Sequence, residues 1–462
     1  MDSARKAALT CALGTLTINL NITALSLAVP SIRQDLHLSS TAMAWVASTY
    51  ALILAALVML GGSLGDRFDK KTVLAAGLVI YTLGSAGGAL AGDGLTLTLS
   101  RIGAAVGAAV LVPVGLAAMR QIATSPTELA TYMATWAIAV GAGQALGPAL
   151  GGILTAWAGW RALFWAMTGL GVIFFGLLIR YVPHLASAGA RPIGLGSQAL
   201  IALWMIALTG FLIEVNSAAP AWLKLTLLGA FVSGLGLWLW WDRRTTKPLV
   251  PPQVRRAAAF WLPLAVSVPN MAALGMSLFV GSLFLQDRLG VSPALAGLIF
   301  VPMALTNGLA GSWAGRGLLR WGPRRVTLAA AVATGLGVVL AGAAGAGPRV
   351  VAMIGITLGA AVIGLGFGCA NTPINYLVVS AVPPTAAGVG GSFASASRQL
   401  GQAVGISLGA LLVSLRQTPA HQSNLAYLWP VIAVLACAGL MALLATAYPG
   451  QSAPDNTTSK PQ

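Results

Sequence analysis

Gly61-Gly62-Ser63-Leu64-Gly65-Asp66-Arg67-Phe68-Asp69-Lys70-Lys71-Thr72-Val73-Leu74 decides the fold of this chain. Two acids and three bases, Asp66, Arg67, Asp69, Lys70 and Lys71, crowd together in a sequence that is only 8% charged. Apolar runs long enough to span a bilayer flank the stretch on both sides. It therefore reads as a tight turn at a membrane surface. Its glycines suit helices that return at close approach.

The rest of the sequence agrees. The chain has 462 residues, 57% of them hydrophobic, and a mean hydropathy of +0.84. A soluble domain has about a quarter of its residues charged, and too few polar side chains are present here to cover a soluble surface. At about 20 apolar residues per span, the sequence predicts an all-α integral membrane protein of about fourteen helices. Among these are helices 2 and 3 around the quoted turn, and helices 10 and 11 at 294–315 and 326–346.

The net charge of +16 would suggest nucleic acid in a soluble protein. Here its distribution carries the meaning. Of the 26 Lys and Arg, eighteen fall on one side of the predicted topology, six on the other, and Arg101 and Arg398 within helices. By the positive-inside rule both termini are cytoplasmic. The expected setting is a multi-pass protein of the cell inner membrane, with the lipid bilayer as its partner and no nucleic acid. Cys11, Cys369 and Cys437 all lie in apolar helices, with no disulfide framework or metal spacing. The apolar run after Arg5-Lys6 is too long for a signal peptide and reads as the first span.

A register of 253 residues carries Gly62 to Gly315, Arg67 to Arg320, Phe68 to Trp321 and Lys71 to Arg324. Asp66 maps to Leu319, so the second copy lacks the acid. The two turns join helices 2–3 and 10–11, eight helices apart. The simplest organisation is a six-helix half over 1–190, an inserted pair (helices 7 and 8) with a cytoplasmic linker over 191–257, and a second six-helix half over 258–449. A polar, disordered cytoplasmic tail over 450–462 follows. Repeated halves suggest a site between them near the midplane.

Three stretches add chemistry. In helix 5, Gly143, Gly147 and Gly151 recur every four residues on one face, beside Gly152, and Pro148 kinks the helix. In helix 4, Arg101 stands inside a span, where a charge costs about 2.5–3.5 kcal/mol. In helix 1, Thr17 and Asn21 are four apart and share a face.

Together these stretches resemble the major facilitator superfamily, and in particular its fourteen-helix drug:proton antiporter family. Gly62, Asp66, Arg67, Lys70 and Lys71 match the loop that sets which face of such a transporter is open, with Asp69 where a glycine is usual. Gly143, Gly147, Pro148, Gly151 and Gly152 match the motif of exporters. Arg101 matches an arginine implicated in proton coupling, although Ala104 and Ala105 depart from the pattern around it. Asn21 stands where an aspartate is usual. Trp160-Arg161, Lys247-Pro248-Leu249, Gln286-Asp287 and Arg398-Gln399-Leu400-Gly401 extend the resemblance over nearly the whole chain.

The resemblance implies proton-driven export of a hydrophobic or amphipathic small molecule by a monomer, with no cofactor beyond the proton gradient. An exporter dedicated to one endogenous metabolite is the alternative. Arg101, Asp35 and Asp66 are the coupling candidates. Thr17, Asn21, Gln144, Asn270, Asn307, Asn371 and Arg398 are the cavity candidates. No acid lies mid-span in the two halves, and the three histidines fall in loops. That disfavours an intramembrane hydrolase or a metal centre. The two-halves repeat disfavours a channel.

Overall fold

The computed structural model describes residues 3–185, 194–215, 217–245, 248–250, 254–382, 387–414 and 428–448. The expected tail and part of the linker lie outside them. The N-terminal half holds α1 (Ser3–Asp35), α2 (Ser40–Arg67), α3 (Lys70–Ala89), α4 (Gly94–Ile122), α5 (Pro126–Ala158) and α6 (Trp160–Tyr181). The inserted pair is α7 (Leu195–Glu214) and α8 (Ala221–Arg244), and α9 (Ala258–Leu283) opens the second half. The run Pro293–Gly345 is helical except at Gly322, whose φ of 77° and ψ of 166° turn the chain. It is therefore two helices, α10 before the break and α11 after it. α12 (Arg349–Ser380), α13 (Ala387–Ser414) and α14 (Leu428–Thr446) follow.

The connection expected between 315 and 326 is thus helix interrupted by one glycine. Positive φ is open to glycine, and Pro323 behind it is suited to a first helical turn. At the two turns an arginine stands beside the aromatic ring that follows it. The Arg67 guanidinium lies 5.8 Å from the Phe68 ring centre, and Arg320 lies 5.9 Å from that of Trp321.

Among the described residues, thirteen helices are long and apolar enough to cross a membrane. The fourteenth, α13, falls short because it carries Ser392, Ser395, Ser397, Arg398, Gln399 and Gln402. A less apolar helix belongs inside a bundle and away from lipid.

α7 packs against α2 of one half and α13 of the other, whereas α8 packs mainly on α7. Hydrogen bonds fix α7 to α2 near both ends. Gln198 donates to Ser63 Oγ at 3.2 Å, and Trp45 Nε1 donates to Glu214 Oε1 at 2.8 Å. Glu214 thereby ties the inserted pair to the first half.

Candidate functional site

α5 is held between the halves. A Cβ on Gly147 would overlap the Thr23 side chain of α1, and one on Gly151 the Ala24 carbonyl. On the adjoining face, a Cβ on Gly152 would overlap the Pro293 carbonyl of α10, and Gly297 of α10 sits equally close to Pro148. Small residues let helices approach at backbone contact, so α5 touches α1 within its half and α10 across the seam. Nearby, the chain passes through a π-helical turn at Phe284–Arg288. There Gln286 donates to the Leu27 carbonyl of α1 at 3.0 Å and to Ser282 Oγ at 2.8 Å. Such turns recur at functional sites. The seam is closed at the face opposite the α2–α3 turn.

Towards the α2–α3 face the seam is open along α1, while α2 still meets α13 at one edge of it. Leu9 and Leu13 of α1 are exposed and Leu16 and Asn19 half-buried, whereas residues 20–30 are all buried. The accessible stripe ends at Asn19, where the halves join through a chain of amides. Asn307 Nδ2 donates to Gln144 Oε1 at 2.8 Å, Gln144 Nε2 to Asn19 Oδ1 at 3.5 Å, and Asn19 Nδ2 to the Thr15 carbonyl at 2.8 Å. Gln144 and Asn307 are brought together as cavity candidates. Asn19, missed from the sequence, completes the set.

Thr17 and Asn21 share a face, but that face is buried inside the first half. Asn21 is 4% exposed and donates to the Tyr81 hydroxyl at 3.3 Å. Arg101 is 2% exposed, with its guanidinium 5.3 Å from the Tyr50 ring centre. It does not reach the surface. Asn21 Oδ1, Arg101 Nε and the Tyr50 hydroxyl are buried without hydrogen-bond partners among the described residues. The cluster is a cation on an aromatic face, with an amide where the family's acid would stand. Asn270 is likewise buried, with its amide nitrogen unpartnered.

On the second half, Arg398 of α13 donates from Nη1 to Asn375 Oδ1 of α12 at 2.7 Å. Asn375, another residue missed from the sequence, lies four positions after Asn371 on one face of α12. Gly368, three before Asn371, packs directly on Asn307.

At the α2–α3 turn, Gly62 faces Ser392 of α13, with 3.5 Å available to a Cβ. The helices run antiparallel, so Asp66, one turn beyond Gly62, is level with the first turn of α13. The side chains of residues 387–389 lie outside the description. Asp69 proves to be structural. It caps α3 by accepting from Thr72 N–H at 3.0 Å and Thr72 Oγ1 at 2.9 Å, and it holds the Leu185 N–H at 2.7 Å and His184 Nδ1 at 3.1 Å. The Lys70 N–H donates to the Leu185 carbonyl, and Lys71 Nζ to that of Ile179. The turn is thus clamped to the end of α6.

Burial raises the Asp69 pKa, but the hydrogen bonds from Thr72, Leu185 and His184 outweigh it and leave the carboxyl lowered. Its contribution to stability is therefore present above the ordinary carboxylate range and is lost as pH falls through the lowered value. Asp69→Ala is expected to cost about 1 kcal/mol, the usual worth of an N-cap. A thermal melt of the purified protein at neutral pH measures the loss, and an unchanged midpoint would contradict this role.

Asp35 ends α1 in a pair with Arg161, accepting also from Trp160 Nε1 at 3.0 Å. It joins α1 to α6 at the closed face, and its carboxylate is already engaged.

Known proteins share this architecture. The Major Facilitator Superfamily family model matches residues 11–406, and again 266–461. The chain belongs to the major facilitator superfamily. The two matches begin in α1 and in α9, helices that the internal repeat equates. The chain is 30% identical over 401 residues to the puromycin resistance protein pur8 of Streptomyces alboniger, covering 85% of this chain and 78% of that protein. It is 28% identical to the tetracenomycin C resistance and export protein of Streptomyces glaucescens, covering 88% and 75%. It is also 28% identical to the multidrug efflux pump LfrA of Mycolicibacterium smegmatis, covering 87% and 80%. Among solved structures, the POT family transporter PepTSo superposes with a TM-score of 0.69 at 14% identity, covering 96% and 97%. That likeness shows the facilitator fold alone.

Proposed function

We propose that this chain is a secondary active transporter, not an enzyme, that exports hydrophobic or amphipathic small molecules from the cell by alternating access. The observation that carries the reading is the seam between the halves. It is open to the α2–α3 face as far as Asn19 and closed beyond by α5, α10 and Gln286. With both termini cytoplasmic in the inner membrane, the open side faces the compartment from which cargo is taken. Relatives named for drug resistance and export support the direction. The proton gradient is the energy source in this reading, with Arg101 in the coupling machinery and Asp66 at the closing turn. The monomer is the working unit.

Efflux of a substrate panel from a pump-deleted host tests the proposal. Saturable efflux that collapses with a protonophore is expected. Uncoupled conductance, or chemical conversion of the substrate, would overturn it. Reporter fusions in 216–220 should read periplasm, and those in 243–256 cytoplasm; reversal would overturn the orientation.

Asp66 tests the switch. A carboxylate facing a helix N-terminus contributes about 0.3–1 kcal/mol, enough to shift a two-state balance several-fold. Asp66→Asn is expected to reduce efflux by a few-fold with normal insertion. Unchanged efflux by a well-inserted variant removes Asp66 from the mechanism.

A further inference from the structure

The polar groups along the seam are unequal in what they leave free. In the amide chain every carbonyl that faces the next residue is used: Asn307 donates to Gln144, Gln144 to Asn19, and Asn19 to its own helix. Beyond Asn307 the stripe continues along α12 through Gly368, Asn371 and Asn375, spaced to share one helix face, and ends at Arg398. Here donors are left over. Asn375 spends its carbonyl oxygen on Arg398, which leaves its NH₂ available. The Asn371 carbonyl oxygen is buried without a partner among the described residues, and its NH₂ is its remaining polar end. Arg398 is half-buried and uses one of its N–H groups on Asn375.

Among the described residues no carboxylate is paired with that cation. The ion pairs among the described residues are Arg161–Asp35, Arg255–Asp242 and, when His184 is protonated, His184–Asp69. Glu214 is held by Trp45 and Ser217, Asp93 and Glu128 cap helices, Asp287 is exposed beyond α9, and Asp66 stands at the α2–α3 turn, level with the first turn of α13 and several turns from Arg398. A half-buried guanidinium beside two amide donors, with no acid to answer it, is built to receive an anionic acceptor.

Resting on the export reading above, we infer that Arg398, Asn375 and Asn371 form a subsite for the carboxylate, or an equivalent anionic group, of an otherwise apolar cargo. The apolar part of the cargo lies against Leu9 and Leu13 along the open stripe of α1. A lipophilic dication finds no acid in this subsite.

The test uses two probes of one shape, N-dansyl-phenylalanine and its methyl ester, in everted vesicles and with the purified full-length protein. The unmodified protein is expected to transport and bind the free acid at least about tenfold better than the ester, the worth of a charge-assisted hydrogen bond. Arg398→Gln should abolish that preference, the acid falling at least about tenfold relative to the ester. Arg398→Lys, which keeps the charge and loses the fork, should fall between. Fluorescence-detected size exclusion confirms that each variant is folded. Equal handling of acid and ester by the unmodified protein, or equal loss of both in Arg398→Gln, overturns the anion subsite and leaves export intact. Failure to transport either probe, together with failure across the substrate panel, overturns the export reading and this inference with it.

Discussion

Gly152→Val is expected to abolish efflux, with a fall of at least about tenfold. The added Cβ would meet the Pro293 carbonyl and lie 3.2 Å from Gly297 Cα, both backbone atoms of α10 that no rotamer change can move. Overpacking of this kind costs about 1–3 kcal/mol, and each 1.4 kcal/mol is a factor of ten in an equilibrium. The strain falls on one conformation only. α5 and α10 meet at backbone distance where the seam is closed, so separating them relieves it. The variant should therefore accumulate with its far side open. In a cysteine-free background, labelling of S26C from that side should rise in Gly152→Val and stay low without it. Normal efflux, or no change in labelling, would show that the contact is dispensable for closure.

Arg101→Ala should be as damaging to transport, yet neutral or favourable for stability. Arg101 is buried with its Nε unpartnered and an aromatic ring as its described neighbour. A desolvated cation–π contact returns about 2 kcal/mol, less than the cost of holding an uncompensated charge in the interior. A group kept at such cost inside a span is functional by default. Efflux is expected to fall at least about tenfold, with a melting temperature equal to or above that of the parent. If efflux persists, coupling does not pass through Arg101. A sharply lowered melting temperature would make it structural instead.

What could be read from the sequence followed physical scale. A span needs a long apolar run, so the helices and the quoted turn were legible, and α5 showed its glycine period directly. The facing of helices was not. α1 is buried nearly all round beyond Asn19, and a helix apolar on every side has no polar stripe to orient it. Asn19 and Asn21 are two residues apart and so point to nearly opposite sides. The one chosen from the sequence lies inside the first half, and the one passed over stands at the seam. Asp69 counted as a departure from a pattern because its partners His184 and Leu185 lie far along the chain. Asn375 had no signal until Arg398 was seen to reach back to it. Gln286 stood in a quoted motif, but its bond to Leu27 depends on a π-helical turn that composition does not announce.

The inserted pair makes the two edges of the molecule mechanically unequal. α7 is laced to α2 through Trp45–Glu214 and Ser63–Gln198 and leans on α13. Along that edge it stands between the lipid and the line where the halves part. The α5–α10 edge has no inserted helix outside it. The α5–α10 edge can thus part without moving an inserted helix, whereas α7 must follow any parting of α2 from α13.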